Sequence, residues 1–335
     1  MTAIRWAVNL PLPGRALRDH REVIEALPGL GYADVWTGEG GGIDAFTPLA
    51  AAAAWRPDLG VGTGVVPVST RGPAVLAQTA AALSELAAER VMLGLGTSVP
   101  AHVTALNGIP FAKPVARLRD TVRFLKTALR GDPVDEEYET FTVRGYRPPP
   151  LAAVPPKIIV GALRPRMVRL GLTEGDGVIT NVLAAGDLER VLAEAGPLPL
   201  DKEFVVKLFV CPTEDTAHAR RTGRAFLGWI LNQAPYRAFH DWLGHGDRLT
   251  ESRTLYDSGH GAAAGLALPD DIVDALWIHG SLDECRQRIA RFAQPGVTSI
   301  LLFVAPTPEL LKSHHTLPNL LAHLHPSPQT NNPTR

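Results

Sequence analysis

Two stretches of this 335-residue sequence put small and hydroxyl-bearing residues directly after apolar runs. Val61–Val68 contains Gly64 and leads into Ser69, and Arg90–Leu95 is followed by Gly96, Thr97 and Ser98. Neither run shows clean polar alternation, a pattern of strands covered on both faces in a parallel sheet wrapped by helices. In parallel α/β folds, ligands sit at the carboxyl ends of such strands. Ionisable groups fall nearby. Glu39 follows the short run Ala33–Thr37 and stands among Gly38, Gly40, Gly41 and Gly42. A carboxyl there acts as an acid if burial raises its pKa; the alternatives are that it positions a ligand or holds the loop. His102, just after Thr97 and Ser98, is close enough in the chain to bring a proton to the same place. Arg71 follows the first run and is open to ligand contact or to a structural salt bridge. His240, His245 and His260 lie in a long segment expected to cover the site. His314, His315, His323 and His325 have no supporting acidic ligands, so no metal site is expected.

The elements that must position these groups alternate regularly. Strand candidates are Ile4–Leu10, Ala33–Thr37, Leu59–Val68, Arg90–Leu95, Lys157–Gly161, Gly177–Asn181, Glu203–Val210 and Val297–Val304. Helices separate them, among them Ala45–Ala54, Pro73–Ala88, Val115–Arg130 and Pro165–Thr173. Ser281–Glu284 is a capping-box pattern that opens another helix. Eight strands alternating with helices, without a composition shift, predict an α/β fold of the closed (β/α)8 TIM-barrel kind. Insertions are expected after strand 4 (about 132–156, with a small hairpin around Glu139–Val143) and after strand 7 (about 216–276). The second insertion reads as mostly helical, ending in a flexible stretch, Ser258–Gly265. One domain spans 1–324, and the tail 325–335 reads as disordered. The helices at 45–54 and 73–88 are Ala-rich and apolar almost all round, which predicts a homodimer through them, the alternative being coverage by the chain's own insertions.

Composition narrows the function classes. Formal net charge is −1, with 45% hydrophobic residues, so there is no broad electrostatic footprint for nucleic acid. No run of about 18 apolar residues exists to span a bilayer, and the N-terminus lacks the long apolar core of a signal peptide. Cys211 and Cys285 stand far apart without metal spacing, as in a reducing compartment. The expectation is a cytoplasmic protein with no nucleic-acid or membrane partner.

Several runs, in order and spacing, resemble the bacterial luciferase-like superfamily, and within it the actinobacterial coenzyme F420-dependent oxidoreductases. They are Val35–Glu39, Asp44–Leu49, Leu59–Pro73, Arg90–Thr97, Asn107–Phe111, Arg119–Leu125, Ile159–Pro165, Glu174–Ile179 and Gly280–Leu302. The resemblance implies a deazaflavin ring lying across the carboxyl ends of the strands, backed by a non-prolyl cis peptide that falls here at Gly64-Val65. It implies cofactor contacts at Thr37, Glu39, Gly64, Val65, Thr97 and Ser98. The cofactor phosphate would meet backbone N–H groups of the Gly161, Ala162, Leu163 and Arg164 loop, an arrangement suited to an anion. Asn181 would face substrate or phosphate. One departure stands out: many relatives follow the acidic residue of strand two with a His that assists proton transfer, and this chain has Gly40 there. Glu39 and His102 are then the candidates for the proton. The implied activity is hydride transfer between reduced F420 and a small-molecule or modified-peptide substrate, reducing an activated C=C or C=N bond of a secondary-metabolite intermediate. An FMN-dependent monooxygenase and a non-catalytic flavin- or deazaflavin-binding protein are the alternatives.

Overall fold

The computed structural model describes residues 3–40, 42–87, 90–150, 154–313 and 315–326. Its strands are β1 (Arg5–Asn9), β2 (Asp34–Thr37), β3 (Gly60–Thr63), β4 (Val66–Pro67), β5 (Val91–Gly96), β6 (Val134–Glu137), β7 (Thr142–Tyr146), β8 (Lys157–Gly161), β9 (Gly177–Asn181), β10 (Glu203–Cys211), β11 (Ile278–His279) and β12 (Ser299–Val304). The helices up to β10 are α1 (Arg21–Ala26), α2 (Phe46–Trp55), α3 (Pro73–Leu86), α4 (Pro114–Ala128), α5 (Pro165–Thr173) and α6 (Ala185–Ala195). Beyond it come α7 (Thr216–Ile230), α8 (Ala234–Leu243), α9 (Thr250–Asp257), α10 (Gly261–Leu266), α11 (Asp270–Leu276), α12 (Leu282–Ala290), α13 (Pro308–Lys312) and α14 (Thr316–Leu324).

Eight strands (β1, β2, β3, β5, β8, β9, β10 and β12) pair in parallel, each with the next, and β12 pairs back with β1. The ring is the expected (β/α)8 barrel. Side chains alternate across each strand, and the inward set forms a buried plug: Ala7, Trp36, Met92, Ile159, Ile179, Val205 and Leu301, with Val65 packed against it. Below the plug, at the amino ends of the strands, the inward groups are charged and paired. Arg5 and Lys157 lie 2.5 and 2.7 Å from the Glu203 carboxylate, and Arg90 lies 2.6 Å from the fully buried Asp34. This end is closed by ion pairs, which leaves the carboxyl end as the mouth.

The third strand is not continuous. Leu59–Val68 reads as one apolar run, but the ladder stops after Thr63 and resumes at Val66, with a cis peptide between Gly64 and Val65. Strand β5 makes room for this inward excursion with glycine. A Cβ on Gly96 would stand 2.5 Å from Val65 Cγ2, and one on Gly94 would run into the carbonyl oxygen of Thr63. Gly161 completes the cradle, its Cβ position 3.3 Å from Val65 Cγ1. The Thr63 hydroxyl donates to Gly94 O at 2.8 Å, fixing the approach of the two backbones.

Other expectations need adjustment. The hairpin of the first insertion pairs β6 with β7, so Glu139 lies in its turn and not in a strand. The stretch expected to be flexible, Ser258–Gly265, contains most of α10. Its glycine is there for packing, since a Cβ on Gly228 of α7 would lie 2.5 Å from Gly265 Cα. His325, assigned above to the tail, is buried against Trp6 and Tyr32 at ring separations of 5.3 and 5.5 Å; residues 327–335 lie outside the described residues. Helix α3 ends at Leu86, and Ala88 also lies outside them. The capping box forms as expected, with Glu284 N–H donating to Ser281 Oγ at 3.3 Å and Ser281 N–H to Glu284 Oε2 at 2.8 Å.

The glycine cradle is open to direct measurement. Gly94→Ala places a methyl group against a backbone carbonyl and should lower unfolding free energy by about 1–3 kcal/mol, as overpacked cores do. Gly186→Ala, on α6 with nothing within 4 Å of the new methyl, should gain up to about 1 kcal/mol. Denaturant melts of equal midpoint for the two variants would contradict the close approach of β3 to β5.

Candidate active site

Chain segments far apart in sequence meet at the carboxyl ends of the barrel strands. A cavity of about 140 Å³ is walled by Gly64 and Val65 from the third strand, Gly96–Val99 after β5, Gly161–Leu163 after β8, and Ile179 and Asn181 of β9. Lys207 of β10 and Pro235 and Tyr236 of α8 complete it. Of the expected cofactor positions, Gly64, Val65, Thr97, Ser98, Gly161, Ala162, Leu163 and Asn181 therefore share one wall. Three do not reach it, and of these Glu39 lines the neighbouring cavity described below. Thr37 is buried with its hydroxyl donated to Ala45 O at 2.6 Å, where it holds the start of α2. Arg164 is exposed and serves as the N-cap residue of α5.

The backbone at this mouth adopts conformations that ordinary residues rarely use. Ser98 and Val182, just after β5 and β9, have φ of 58° and 53°. A β-branched residue in the left-handed region is a genuine outlier, and such outliers cluster where structure is held for a ligand. Val182 is held from above: His240 of α8 donates Nε2–H to Val182 O at 3.0 Å. Tyr236, on the same helix, donates its hydroxyl to Asn181 Oδ1 at 3.1 Å. The second insertion thus grips the end of β9 at two adjacent residues.

A neighbouring cavity of about 370 Å³ is lined by Glu39, Gly40, Gly42, Pro67, Thr70, Arg71, His102, Leu106 and Asn107. It shares the 64–71 and 96–107 segments with the first. Here both candidates for the proton are found. The Glu39 carboxylate receives Arg71 Nε at 3.1 and 3.3 Å and also its Nη2, and the Arg71 guanidinium lies over the Phe46 ring at 4.8 Å. Glu39 N–H donates to Val65 O at 3.1 Å, tying this loop to the broken strand. The Arg71 salt bridge is therefore formed within the site. His102 packs against Trp229 of α7, ring centroids 5.1 Å apart and planes tilted by 31°. Burial pulls its imidazole below the usual 6.5, so the ring is neutral at pH 7. A Cβ on Gly40 would lie 3.7 Å from His102 Cε1, so the imidazole of residue 102 stands beside the position where residue 40 has no side chain.

The remaining insertion residues divide. Pro235 and Tyr236 face the first cavity, and Trp229 meets His102. Phe226 packs on Phe209 and Trp277, and Trp242 stacks on Phe239 with Arg190 over its face at 4.5 Å; neither Phe226 nor Trp242 lines the two cavities. His245 pairs with Asp187 at 2.9 Å. Sequence reasoning passed over Lys207. Its signal was present: a single lysine in an apolar strand, in register by twos with Glu203 and Val205.

The family model described as luciferase-like monooxygenase matches residues 3–299. A Mycobacterium tuberculosis protein provisionally named a coenzyme F420-dependent oxidoreductase is 29% identical over 314 residues, covering 85% of this chain and 90% of that protein. The 5,10-methylenetetrahydromethanopterin reductase of Methanolobus tindarius is 26% identical over 280 residues, covering 81% and 85%. Among solved structures, the coenzyme F420-dependent tetrahydromethanopterin reductase from Methanopyrus kandleri superposes with a TM-score of 0.73 at 17% identity, covering 96% of this chain and 98% of that one.

The grip of α8 on the mouth predicts a pH dependence. Burial and the neighbouring His245 pull His240 down to about 4, while in the unfolded chain it titrates near 6.5. Between these values the unfolded state binds the extra proton, so stability is full above about 6.5 and falls as pH drops towards 4. The loss reaches about 3 kcal/mol from this group. Proton NMR should show the His240 ring titrating near pH 4; a midpoint at 6.5 would contradict its burial.

Proposed function

The chain belongs to the luciferase-like monooxygenase family, and from that premise we propose that its barrel mouth binds coenzyme F420. The enzyme moves a hydride between this deazaflavin and an organic substrate, reducing an activated C=C or C=N bond of a secondary-metabolite intermediate. The observation that carries the reading is the convergence of segments following the third to sixth barrel strands on one cavity. The residues present fit the group. Val65, raised on its glycine cradle, gives an apolar floor. Helix α5 begins at the cavity edge, and among the described residues the N–H groups of Leu163, Arg164 and Arg166 have no protein acceptor. They would hold a phosphate there, where the helix dipole also favours an anion.

When bound, the deazaflavin supplies the hydride chemistry. The protein's part is orientation and a proton. Thr97 and Ser98 offer hydroxyls to the ring side of the cavity, and Asn181 is fixed by Tyr236. We assign the proton to His102. Its neutral imidazole occupies the space beside Gly40 and opens on the second cavity, which is the larger of the two and is the room available to substrate. Glu39, bound to Arg71, orders the loop between the two cavities. We also propose that a second copy of the chain packs on the outward faces of α2 and α3, of which α3 leaves Val75 and Leu86 47% and 44% exposed; sedimentation as a monomer at micromolar concentration would contradict this.

Titration of the protein with oxidised coenzyme F420 should quench the cofactor's fluorescence saturably at one equivalent per chain. Tight FMN binding with none for F420 would overturn the reading. With a panel of activated alkenes and imines, His102→Ala should cut kcat by about 10²–10⁴-fold, the usual contribution of a positioned acid or base. Adding Gly40→His to that variant should recover part of the loss. An unchanged kcat would remove His102 from the reaction.

A further inference from the structure

One charge at the mouth remains unused. Strand β10 lies four places around the eight-strand ring from β3, so Lys207 and Val65 stand on opposite walls of the first cavity. The Lys207 ammonium is flanked by the rings of Phe209 and Phe303, each centroid 5.7 Å from Nζ. Among the described residues it has no hydrogen bond and no ion pair. At the other end of the same strand, on the same face, Glu203 is paired with both Arg5 and Lys157. The fold therefore answers every charge of the lower layer named here and leaves this upper one open.

The cavity lining contains one other ionisable side chain, Tyr236. Burial pushes its phenol up, and its hydroxyl is bonded to Asn181, so it is neutral and supplies no counter-charge. The neighbouring strand residues in register with Lys207 are Asn181 on β9 and Leu301 on β12, both uncharged. Burial pulls Lys207 down to about 8, so at neutral pH the group is still mostly an ammonium. A desolvated ammonium without a partner is unfavourable, and an anion entering the cavity relieves that cost. The site is thus preset for a negative charge inside the cavity itself, separate from any phosphate at α5.

Deazaflavin and flavin differ in this respect. The ring of coenzyme F420 carries an acidic hydroxyl, and its ionised form spreads negative charge over the ring. The oxidised ring of FMN carries methyl groups there and is neutral. We propose that Lys207 selects an anionic deazaflavin ring over a neutral flavin ring, an inference that rests on the reading of this mouth as a site for such a ring. The residue acts by binding: it stabilises the ionised ring and lowers the pH at which the bound ring gives up its proton.

Equilibrium titrations with oxidised F420 and with FMN at pH 7.5 test this on the wild-type chain, Lys207→Met and Lys207→Arg. Circular dichroism confirms that each variant is folded. Loss of a charge-assisted contact should weaken F420 binding about tenfold or more in Lys207→Met, while FMN affinity changes less than about threefold. Lys207→Arg should keep most of the F420 affinity. Absorbance of the bound cofactor against pH should show its ionisation displaced upward in Lys207→Met. Equal losses for both cofactors, or unchanged F420 affinity and ionisation, would overturn the assignment. Failure of the wild-type chain to bind F420 would instead sink the underlying reading, and it would be seen before any substitution is made.

Discussion

The architecture of the mouth depends on a steric allowance. Three glycines on the fourth and fifth barrel strands, Gly94, Gly96 and Gly161, leave the space into which the third strand leans. Without that space the Thr63 carbonyl and the Val65 side chain could not move inward, because interiors packed at crystal-like density have no slack to absorb a methyl group. With it, Val65 rises above the apolar plug and becomes a floor, and the chain on either side of it divides the mouth into two adjoining cavities. The Glu39 loop is then attached to the displaced segment through the Val65 carbonyl. One backbone excursion therefore places both a wall of the first cavity and the Glu39 loop that Arg71 pairs with.

Electrostatics divides the barrel along its axis. At the amino end, Asp34 and Glu203 are buried but answered by Arg5, Arg90 and Lys157, a network that closes the floor. Above it lies the apolar plug. At the carboxyl end, Lys207 has no hydrogen-bond or ion-pair partner among the described residues, and the helix α5 start exposes N–H groups. Both features favour negative charge, one within the cavity and one at its edge. The second insertion adds the roof: α8 bonds Asn181 through Tyr236 and Val182 through His240, and α7 brings Trp229 against His102.

Much of this arrangement was legible in the sequence, and the gaps have physical causes. Apolar runs mark buried parallel strands, so the eight barrel strands fall where the runs are, to within a residue or two at most ends. Hydrophobicity does not record backbone direction, and Leu59–Val68 accordingly reads as one strand. Gly and Ala in Ser258–Gly265 look like flexibility when read alone. Their purpose appears only with α7 in place, because Gly228 and Gly265 let two helices cross closely. Lys207 was hidden by the same logic: one lysine does not break an apolar pattern, and whether it faces solvent or the barrel axis depends on closure of the ring. Gly40 was a visible departure, and His102 was already a candidate beside it; that the His102 ring lies next to residue 40, 62 positions away in the chain, is visible only in three dimensions.

On the proposed reading, the space between Val65 and Lys207 receives a two-electron ring carrier. A crystal structure of the protein grown with oxidised coenzyme F420 tests it most directly. Ring density should rest on Val65 with its edge within hydrogen-bond distance of Lys207 Nζ, and a phosphate should lie at the start of α5. An empty mouth under saturating cofactor, or a ring bound at another surface, would contradict it.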